Sequence, residues 1–346
     1  MSLPQLVVRP DAGASHVLFV APKAKALPAD LPERARWLAV LKRRNIKADE
    51  LAKSPLALDL ADGGRAGCVM VDADKPRFER LAALRKSIAP LLDEVPAALA
   101  IVPLGVDVDT VRDAAYVALV NAARLPARKK KPVKPLKTVF VADRRLAAAD
   151  FREVVALAEA TALARQLTAL PPNELPPAAY RKRIRALAKD HGWGIEEFGF
   201  RKLRKMGAGA FCAVAQGSGH EDAAIVHLSH RPRGARKSVA LVGKGICFDT
   251  GGHNLKPARY MAGMHEDMNG SAVALAILQA AQAARLPVAL DVWVAIAHNH
   301  LSPEAYAQGD LVTALDATTI EVVHTDAEGR MVLADALELA AGAKPD

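Results

Sequence analysis

Cysteine is scarce in this chain of 346 residues, which holds three cysteines and no Cys-x-x-Cys pair. An odd, unpatterned set argues against a disulfide framework, so we expect reduced thiols and a cytoplasmic location. The missing Cys-x-x-Cys pairs also argue against a thiolate zinc site. We therefore interpret Cys68, Cys212 and Cys247 as small buried hydrophobic residues.

Long apolar runs are missing as well. No stretch approaches the roughly 18–20 apolar residues that a transmembrane helix needs. Residues 1–10 show no charged leader followed by an apolar segment, so we expect neither a membrane span nor a signal peptide. Aromatic residues reach only 4%, while apolar residues make up 51% and charged residues 25%. That balance is ordinary for a globular protein of about two domains.

Acidic residues are fewer than basic ones, 38 against 47, and the formal net charge is +9. Much of the excess lies in residues 128–137, Arg-Lys-Lys-Lys-Pro-Val-Lys-Pro-Leu-Lys. Two prolines interrupt this run and no aromatic residue is interleaved, so a solvated connection is favoured over a binding surface. Binding to nucleic acid stays open as an alternative, although no recognition motif supports it.

Residues 1–148 alternate short apolar runs with helical segments, a pattern that is typical of an α/β domain. The runs predict strands at 17–20, 67–71, 98–102 and 138–141 and helices at 34–43, 78–92 and 111–123. A long linker helix is predicted at 149–170. It must end at the following segment, because four prolines within residues 171–177 remove donors and clash with a preceding turn.

Residues 171–346 form a second predicted α/β domain, the larger of the two. The pattern predicts helices at 177–191 and 271–285 and strands at 210–215, 223–228, 238–242 and 289–297. The fold class is therefore α/β: an N-terminal α/β domain, a linker helix, and a larger α/β domain with a mixed central sheet flanked by helices.

The segment His-Thr-Asp-Ala-Glu-Gly-Arg at residues 324–330 places two carboxylates and a guanidinium close together. A β-branched run at 319–323 precedes it, and helical spacing at 331–340 follows. Asp326, Glu328 and Arg330 therefore lie on a strand-to-helix turn, the usual place for a ligand in an open α/β sheet. The alternative is a helix start with acidic residues in its first turn.

A second cluster lies upstream, after the predicted strand 238–242. Glycines at 243, 245, 251 and 252 let the backbone turn sharply and approach a ligand. We expect Lys244, Asp249 and Lys256 on this loop, and Asp267 near the start of the helix at 271–285.

The two clusters together supply four carboxylates, which cannot share a dry site uncompensated because like charges raise each other's pKa. Those carboxylates are Asp249, Asp267, Asp326 and Glu328. Two divalent cations would balance them, and a metal pair about 3.5–4 Å apart activates water and polarises a carbonyl or phosphoryl group. Lys244 could join as a neutral amine ligand. A cationic Lys256 could stabilise an oxyanion, and Arg330 offers a planar fork for an anion.

These residues stand in segments that resemble the leucyl (cytosol) aminopeptidase family of two-metal exopeptidases. The segments are VGKGICFDTGGHNLKP at 242–257, EDMNG at 266–270 and TDAEGR at 325–330. The gaps agree with that family: five residues from Lys244 to Asp249, seven to Lys256, eighteen from Asp249 to Asp267, and 59 to Asp326. The resemblance is strong from about residue 155 to 342 and weak before that.

The resemblance implies a dinuclear aminopeptidase that releases N-terminal, leucine-like residues from peptides by attack of a metal-bridging water. Asp249 and Glu328 would bridge two divalent ions, zinc or manganese with magnesium as a further option. Lys244 and Asp267 would complete one metal position and Asp326 the other. Lys256 would polarise the scissile carbonyl, Arg330 would hold a bicarbonate general base, and Met264 would line the pocket for the first side chain.

Family members continue beyond the position of Asp346, so we expect this chain to lack part of the substrate pocket and of the catalytic sheet. The resemblance also implies a homohexamer. Two residues depart from the family pattern: His253 replaces an aliphatic residue and His324 an asparagine. Neither replacement removes a ligand.

Other functions remain as alternatives. Asp249-Thr250-Gly251 matches the Asp-Thr-Gly of aspartic peptidases, but those use two copies on an all-β frame. His298-Asn299-His300 could suggest a metal site, although an ordinary strand-end turn is the favoured interpretation. A catalytically impaired short form with a binding role, for instance to DNA, is the alternative from a different class.

Overall fold

The computed structural model describes residues 3–10, 13–128, 130 and 134–346. Part of the basic segment, namely Lys129, Lys131, Pro132 and Val133, therefore lies outside the described residues, as do residues 1 and 2 of the N-terminus. The chain divides into a first unit, Met1–Ala162, and a second unit, Leu163–Asp346. Among the described residues, no helix has the length and apolarity needed to cross a bilayer.

The first unit is built on a sheet that has six strands in its described part, in the order β1-β6-β5-β2-β4-β3. All neighbours run parallel except β3, which is antiparallel to β4. The strands are β1 (Gln5–Val8), β2 (His16–Pro22), β3 (Leu56–Asp59), β4 (Arg65–Val71), β5 (Ala98–Pro103) and β6 (Thr138–Val141). The helices are α1 (Arg34–Arg44), α2 (Arg77–Leu92), α3 (Val108–Ala122) and α4 (Arg152–Thr168), the last of which contains the boundary between the units.

Alternation along β2 divides the first unit into two cores. Leu18 and Val20 pack in a cluster with residues of α2 and α3, whereas Phe19 and Ala21 pack with Trp37 of α1. Successive side chains of a strand point to opposite faces, so α1 covers one face of the sheet and α2 covers the other.

The second unit contains a mixed sheet in the order β7-β8-β10-β9 and a separate hairpin of β11 and β12. Strands β9 and β10 are parallel, and β8 is antiparallel to both β10 and β7. The strands are β7 (Gly194–Gly199), β8 (Ala224–His230), β9 (Lys237–Asp249), β10 (Val288–Asn299), β11 (Leu311–Thr313) and β12 (Thr319–Glu321). The helices are α5 (Pro177–His191), α6 (Phe200–Met206), α7 (Gly209–Ala215), α8 (Ala258–Met261), α9 (Asn269–Ala283) and α10 (Glu328–Gly342).

Strand β10 is apolar on both faces because helices cover both sides of this sheet. Trp293, Ala295 and Ala297 pack against the helices α7 and α10. Val292 and Val294 pack in a second cluster with α5 and α9. A strand buried on both faces has a continuous apolar sequence. The apolar run at 289–297 predicted this strand. The expected α/β class with a mixed, helix-flanked sheet is confirmed.

Two local predictions were wrong. Residues 210–215 were expected to form a strand, but they form the buried helix α7. A short apolar run cannot be assigned by periodicity alone when every side of it is buried. The strand at 238–242 continues to Asp249, so Lys244 and Asp249 lie on β9 and not on a loop. The short strands β1, β3, β7 and β11 were not predicted.

Candidate metal centre

Lys244 and Asp249 reach the same side of β9 although they are five positions apart, an odd spacing. On a regular strand they would point to opposite faces. The pairing of β9 with β10 shifts register after Ile246 and Ala297, so that Asp249 lies beside Asn299. One extra residue is therefore accommodated in β9, and such a bulge returns Asp249 to the face of Lys244.

Lys244 lies between the beginnings of two helices. Its Nζ atom is 2.6 Å from Oδ2 of Asp267, which precedes α9, and 2.6 Å from Oε1 of Glu328, the first residue of α10. Glycine makes this approach possible: a Cβ atom on Gly243 would lie 2.7 Å from Cα of Ser271, and one on Gly329 would lie 2.9 Å from Cε of Lys244. Both helices therefore begin directly against β9.

Lys256 pairs with the other two carboxylates. Its Nζ atom lies 2.9 Å from Oδ2 of Asp249 and also forms an ion pair with Oδ1 of Asp326. The chain returns to this position through a turn in which Gly251 has a φ of 88°, and the amide of Lys256 donates to the carbonyl of Thr250. Each lysine thus bridges two of the four carboxylates that were predicted from the sequence.

Three of those carboxylates converge. Ligand oxygens of Asp249, Asp326 and Glu328 all lie within 4.8 Å of one another, and among the described residues this is the one such group of histidine, cysteine or acidic side chains. Asp249 and Glu328 are both buried. The predicted residues Lys244, Asp249, Lys256, Asp267, Asp326 and Glu328 are therefore brought into one connected cluster.

Asn299 organises this cluster, a role that was not predicted from the sequence. Its Nδ2 atom is 2.8 Å from Oδ1 of Asp249, 3.1 Å from the carbonyl of Thr325 and 3.4 Å from Oε2 of Glu328. The side chain is fully buried, and its Oδ1 atom has no hydrogen-bond partner among the described residues. The sequence feature that could have indicated this role is the tripeptide 298–300 at the strand end, but such a tripeptide alone favours an ordinary turn.

The turn that carries Asp326 is held by hydrogen bonds from outside it. The hydroxyl of Thr325 donates to the carbonyl of Gly251 at 2.6 Å, and the amide of Asn254 donates back to that hydroxyl at 2.8 Å. Tyr306 donates its buried hydroxyl to the carbonyl of Thr325 at 2.7 Å. The two sequence clusters are thereby joined, because Gly251 and Asn254 belong to one and Thr325 to the other.

Burial and charge oppose each other at the lysines. Burial lowers the pKa of Lys244, but Glu328 and Asp267 outweigh it and hold that pKa above its ordinary value. The same balance, with Asp326 and Asp249 as the partners, raises the pKa of Lys256. Burial raises the pKa of Asp267 to about 6, although Lys244 acts in the opposite direction. Both lysines are therefore protonated when no other cation is close.

The donor set fits divalent cations. Two lysines can neutralise only half of the charge of four ionised carboxylates, so about two negative charges of the cluster remain to be balanced. Carboxylate oxygens with an amine or water suit zinc, manganese and magnesium. A bound cation would also displace the proton from the amine of Lys244, since nearby metal charge depresses such a pKa.

Two predicted residues lie beside the cluster without a recorded contact to it. Arg330 is exposed in the first turn of α10, and its side chain makes no hydrogen bond or ion pair with any described residue. Met264 is half-buried in the short turn that precedes Asp267. The two residues that depart from the family pattern both bond to the site's backbone. His253 donates to the carbonyl of Tyr306 at 2.9 Å, and His324 accepts from the amide of Asp326 at 3.2 Å.

Comparisons with known proteins agree with this location. The family described as cytosol aminopeptidase family, catalytic domain, matches residues 162–346, which is more than half of the chain. A probable cytosol aminopeptidase of Corynebacterium diphtheriae is 41% identical over 230 residues, which are 65% of this chain and 45% of the relative. The cytosol aminopeptidase of Pseudomonas aeruginosa is 37% identical over 331 residues, which are 89% of this chain and 65% of the relative.

A solved structure resembles almost the whole chain. The bottromycin maturation enzyme BotP in complex with Mn superposes with a TM-score of 0.79 at 30% identity, covering 96% of this chain and 70% of that one. This chain thus spans about half to two thirds of the length of the curated relatives it matches. None of these similarities supports the alternative of a DNA-binding short form.

Proposed function

The chain belongs to the cytosol aminopeptidase family, and from this premise we propose that it carries the dinuclear metal centre of an aminopeptidase that removes N-terminal residues from peptides. The observation that carries the proposal is the cluster of Asp249, Asp326 and Glu328, whose oxygens lie within 4.8 Å of one another. It stands within the residues that the family matches.

Five side chains would hold two divalent ions. Following the family resemblance, we assign Asp249 and Glu328 to both ions; both side chains are buried and belong to the convergent group of carboxylates. Lys244 and Asp267 would complete one position. Asp326 would complete the other with its side chain and its carbonyl. When bound, such ions polarise a substrate carbonyl and lower the pKa of a water molecule.

Lys256 would be replaced by the bound ions as the positive charge that balances Asp249 and Asp326. Without metal it is the cation between Asp249 and Asp326, and these carboxylates outweigh the effect of burial and raise its pKa. A protonated amine at this position can donate to the oxygen of a scissile carbonyl as negative charge develops there. This interaction would accelerate the reaction because it is stronger with the charged transition state than with the bound substrate.

Arg330 would bind an anion. Its guanidinium is exposed and free of partners among the described residues, and its planar fork matches a carboxylate or a bicarbonate with two parallel hydrogen bonds. We propose bicarbonate, held two residues beyond Glu328, as the group that accepts a proton during hydrolysis. Met264 would line the pocket for the first side chain of the peptide and favour a leucine-like residue.

The finer assignments follow the family. Zinc and manganese are the proposed metals, with magnesium as a further option, and the manganese recorded with BotP makes that ion the first to test. The relatives are named cytosol aminopeptidases, so we propose a cytoplasmic location. We also propose a homohexamer.

The experiment is hydrolysis of leucine p-nitroanilide by the purified chain loaded with Mn²⁺ or Zn²⁺, together with metal stoichiometry by mass spectrometry. We expect two ions per chain and turnover. Glu328→Gln should lose at least one ion and lower kcat/KM by about 100- to 1,000-fold, the scale of losing a charge-stabilising group. Glu338→Gln, an exposed change on the same helix, is the matched control. A chain that binds fewer than two ions, or keeps its activity in Glu328→Gln, would contradict the proposal.

A further inference from the structure

The first unit contains a cavity of about 370 Å³ that the metal centre does not use. Lys23, which follows β2, and Val71 and Asp72, at the end of β4, form one side of it. The exposed face of α2 and the short turn at Ala48–Ala52 form the rest. The volume falls within the range of small-molecule pockets, at its lower end.

The topology of the sheet explains why a crevice opens at this place. After β2 the chain leaves towards α1, which packs on one face. After β4 it leaves towards α2, which packs on the opposite face. Strands β2 and β4 are parallel neighbours, so their following segments separate at the carboxyl ends of adjacent strands. Ligands of open α/β sheets bind at such points.

The walls of this crevice carry an excess of positive charge. Five cationic and three acidic side chains line it. Two of the acidic groups are already paired, Asp72 with Lys23 at 2.8 Å and Glu79 with Lys75 at 3.6 Å. Among the described residues that line the crevice, three cations and one carboxylate remain outside these two pairs.

The remaining cations have little to bond to. In the part of the chain that the structure describes, the side chains of Lys53 and Lys86 make no hydrogen bond or ion pair, and the Nε atom of Arg80 is buried without a hydrogen-bond partner. Arg80 lies within electrostatic reach of Asp107, and Asp49 lies within electrostatic reach of Lys23. Lys53 and Lys86 are therefore the two cations of the crevice that lack an acidic partner among the described residues. A ligand with about two negative charges would complete the electrostatics of the crevice.

The apolar part of the lining limits the shape of that ligand. It consists of Ala52, Val71, Ala82 and Ala83, and none of the described residues that line the cavity is aromatic. A nucleobase would find no surface for stacking, whereas a short aliphatic segment would contact the alanines and the valine.

We propose that this crevice, formed by the carboxyl ends of β2 and β4 and by α2, binds a compact, non-aromatic dianion. Lys53, Lys86 and Arg80 would contact its charged groups. A phosphomonoester of a small alcohol and a short dicarboxylate share this chemistry. The site lies wholly within the first unit and does not depend on the proposed peptidase activity.

The test is isothermal titration calorimetry of the full chain, freed of metal with EDTA, against glycerol 3-phosphate, succinate and glycerol. We expect one saturable site for at least one dianion and none for glycerol. Binding of the first dianion alone would identify a phosphomonoester site, and binding of succinate alone a dicarboxylate site. Binding should weaken as salt is raised, since the contacts are partly exposed.

Charge variants locate the site. The double variant K53Q/K86Q should weaken binding by about tenfold, because two charge-assisted contacts are removed. The double variant K42Q/K189Q removes the same net charge from exposed positions outside the crevice and should change binding less than twofold. Equal loss in both variants, or no preference for a dianion over glycerol, would overturn the proposal. All four lysines are exposed, and an unchanged urea midpoint will verify that both variants fold.

Discussion

Lys244 and Asp249 present their charged groups to one site from a single strand, because a bulge in β9 absorbs one residue between them. Lys244 contacts Asp267 and Glu328, and Asp249 contacts Lys256 and Asn299. The two halves of the cluster are therefore built on one backbone segment of six residues. The position of both halves depends on how closely the neighbouring helices approach this segment.

The close approach of α9 to β9 gives the first prediction, for Gly243→Ala. The added methyl group would lie 2.7 Å from Cα of Ser271 and 2.8 Å from the carbonyl oxygen of Gly270, both backbone atoms that cannot turn aside. We expect the free energy of unfolding to fall by about 1–3 kcal/mol, the usual range for overpacking. Urea denaturation followed by circular dichroism is the measurement.

The control for this change is Gly342→Ala, at the exposed end of α10, where an added Cβ meets nothing within 4 Å. It should be neutral or slightly stabilising, since alanine favours a helix over glycine. If Gly243→Ala proves as stable as Gly342→Ala, the helix α9 does not pack against β9 as closely as described.

Asn299 gives the second prediction. Asn299→Asp would place a fifth carboxylate beside Asp249 and Glu328 and would remove the amide that donates to both. In EDTA we expect a loss of about 2–4 kcal/mol in unfolding free energy, because a like charge is buried and a donor is lost. Added Mn²⁺ should recover part of this loss, since divalent charge compensates carboxylates.

Asn173→Asp is the matched control, on an exposed loop position. It should change the unfolding free energy by less than about 0.5 kcal/mol, as surface substitutions usually do. A loss in Asn299→Asp that is no larger than this, in EDTA, would show that Asn299 does not hold the carboxylates together.

The carboxylates and lysines of the cluster could be predicted from sequence because residue type, spacing and the adjoining strands or helices are local properties. Asn299 could not, since an asparagine at a strand end is ordinary until its partners are known. The bulge in β9 was equally hidden: a glycine-rich segment reads as a loop, and only pairing with β10 extends it as a strand. Residues 210–215 illustrate the opposite error, because apolar composition without periodicity fits a buried helix as well as a strand.

Asp335 gives a third prediction, away from the cluster. This fully buried carboxylate accepts hydrogen bonds from the amides of Phe211 and Leu315, each at 2.7 Å. In Asp335→Asn one oxygen becomes an NH₂ group, which cannot accept, so one buried amide loses its partner. We expect a loss of about 1–3 kcal/mol in unfolding free energy at pH 7. Glu338→Gln, an exposed neutralisation on the same helix, should cost much less in the same urea titration.

The pH dependence of stability provides a second test of Asp335. Burial raises the pKa of Asp335 above its ordinary value in the folded protein. The folded state therefore binds more protons than the unfolded state between the ordinary and the raised pKa, and stability falls as the pH rises through this window. The cost of Asp335→Asn relative to the parent should consequently be larger at the acid side of the window than above it. A cost that is independent of pH would contradict the raised pKa.

The last prediction concerns His298, which is buried and stacks on His300 with ring centroids 4.3 Å apart. Burial lowers its pKa to about 3, so the folded protein keeps it neutral while the unfolded chain protonates it near pH 6.5. Stability contributed by the neutral ring is complete above pH 6.5 and is lost as the pH falls towards 3. Between pH 7 and pH 5 this single group should account for about 2 kcal/mol.

His298→Phe keeps a flat ring for the stack and removes the titration. In EDTA, the difference in unfolding free energy between this variant and the parent should shift by about 2 kcal/mol in favour of the variant as the pH falls from 7 to 5. The difference between the two proteins cancels the titration of the clustered carboxylates, which both share. A difference that stays constant over this range would mean that His298 takes up its proton at the same pH in the folded protein as in the unfolded chain, and the stacked pair would then have to hold a buried charge at pH 5.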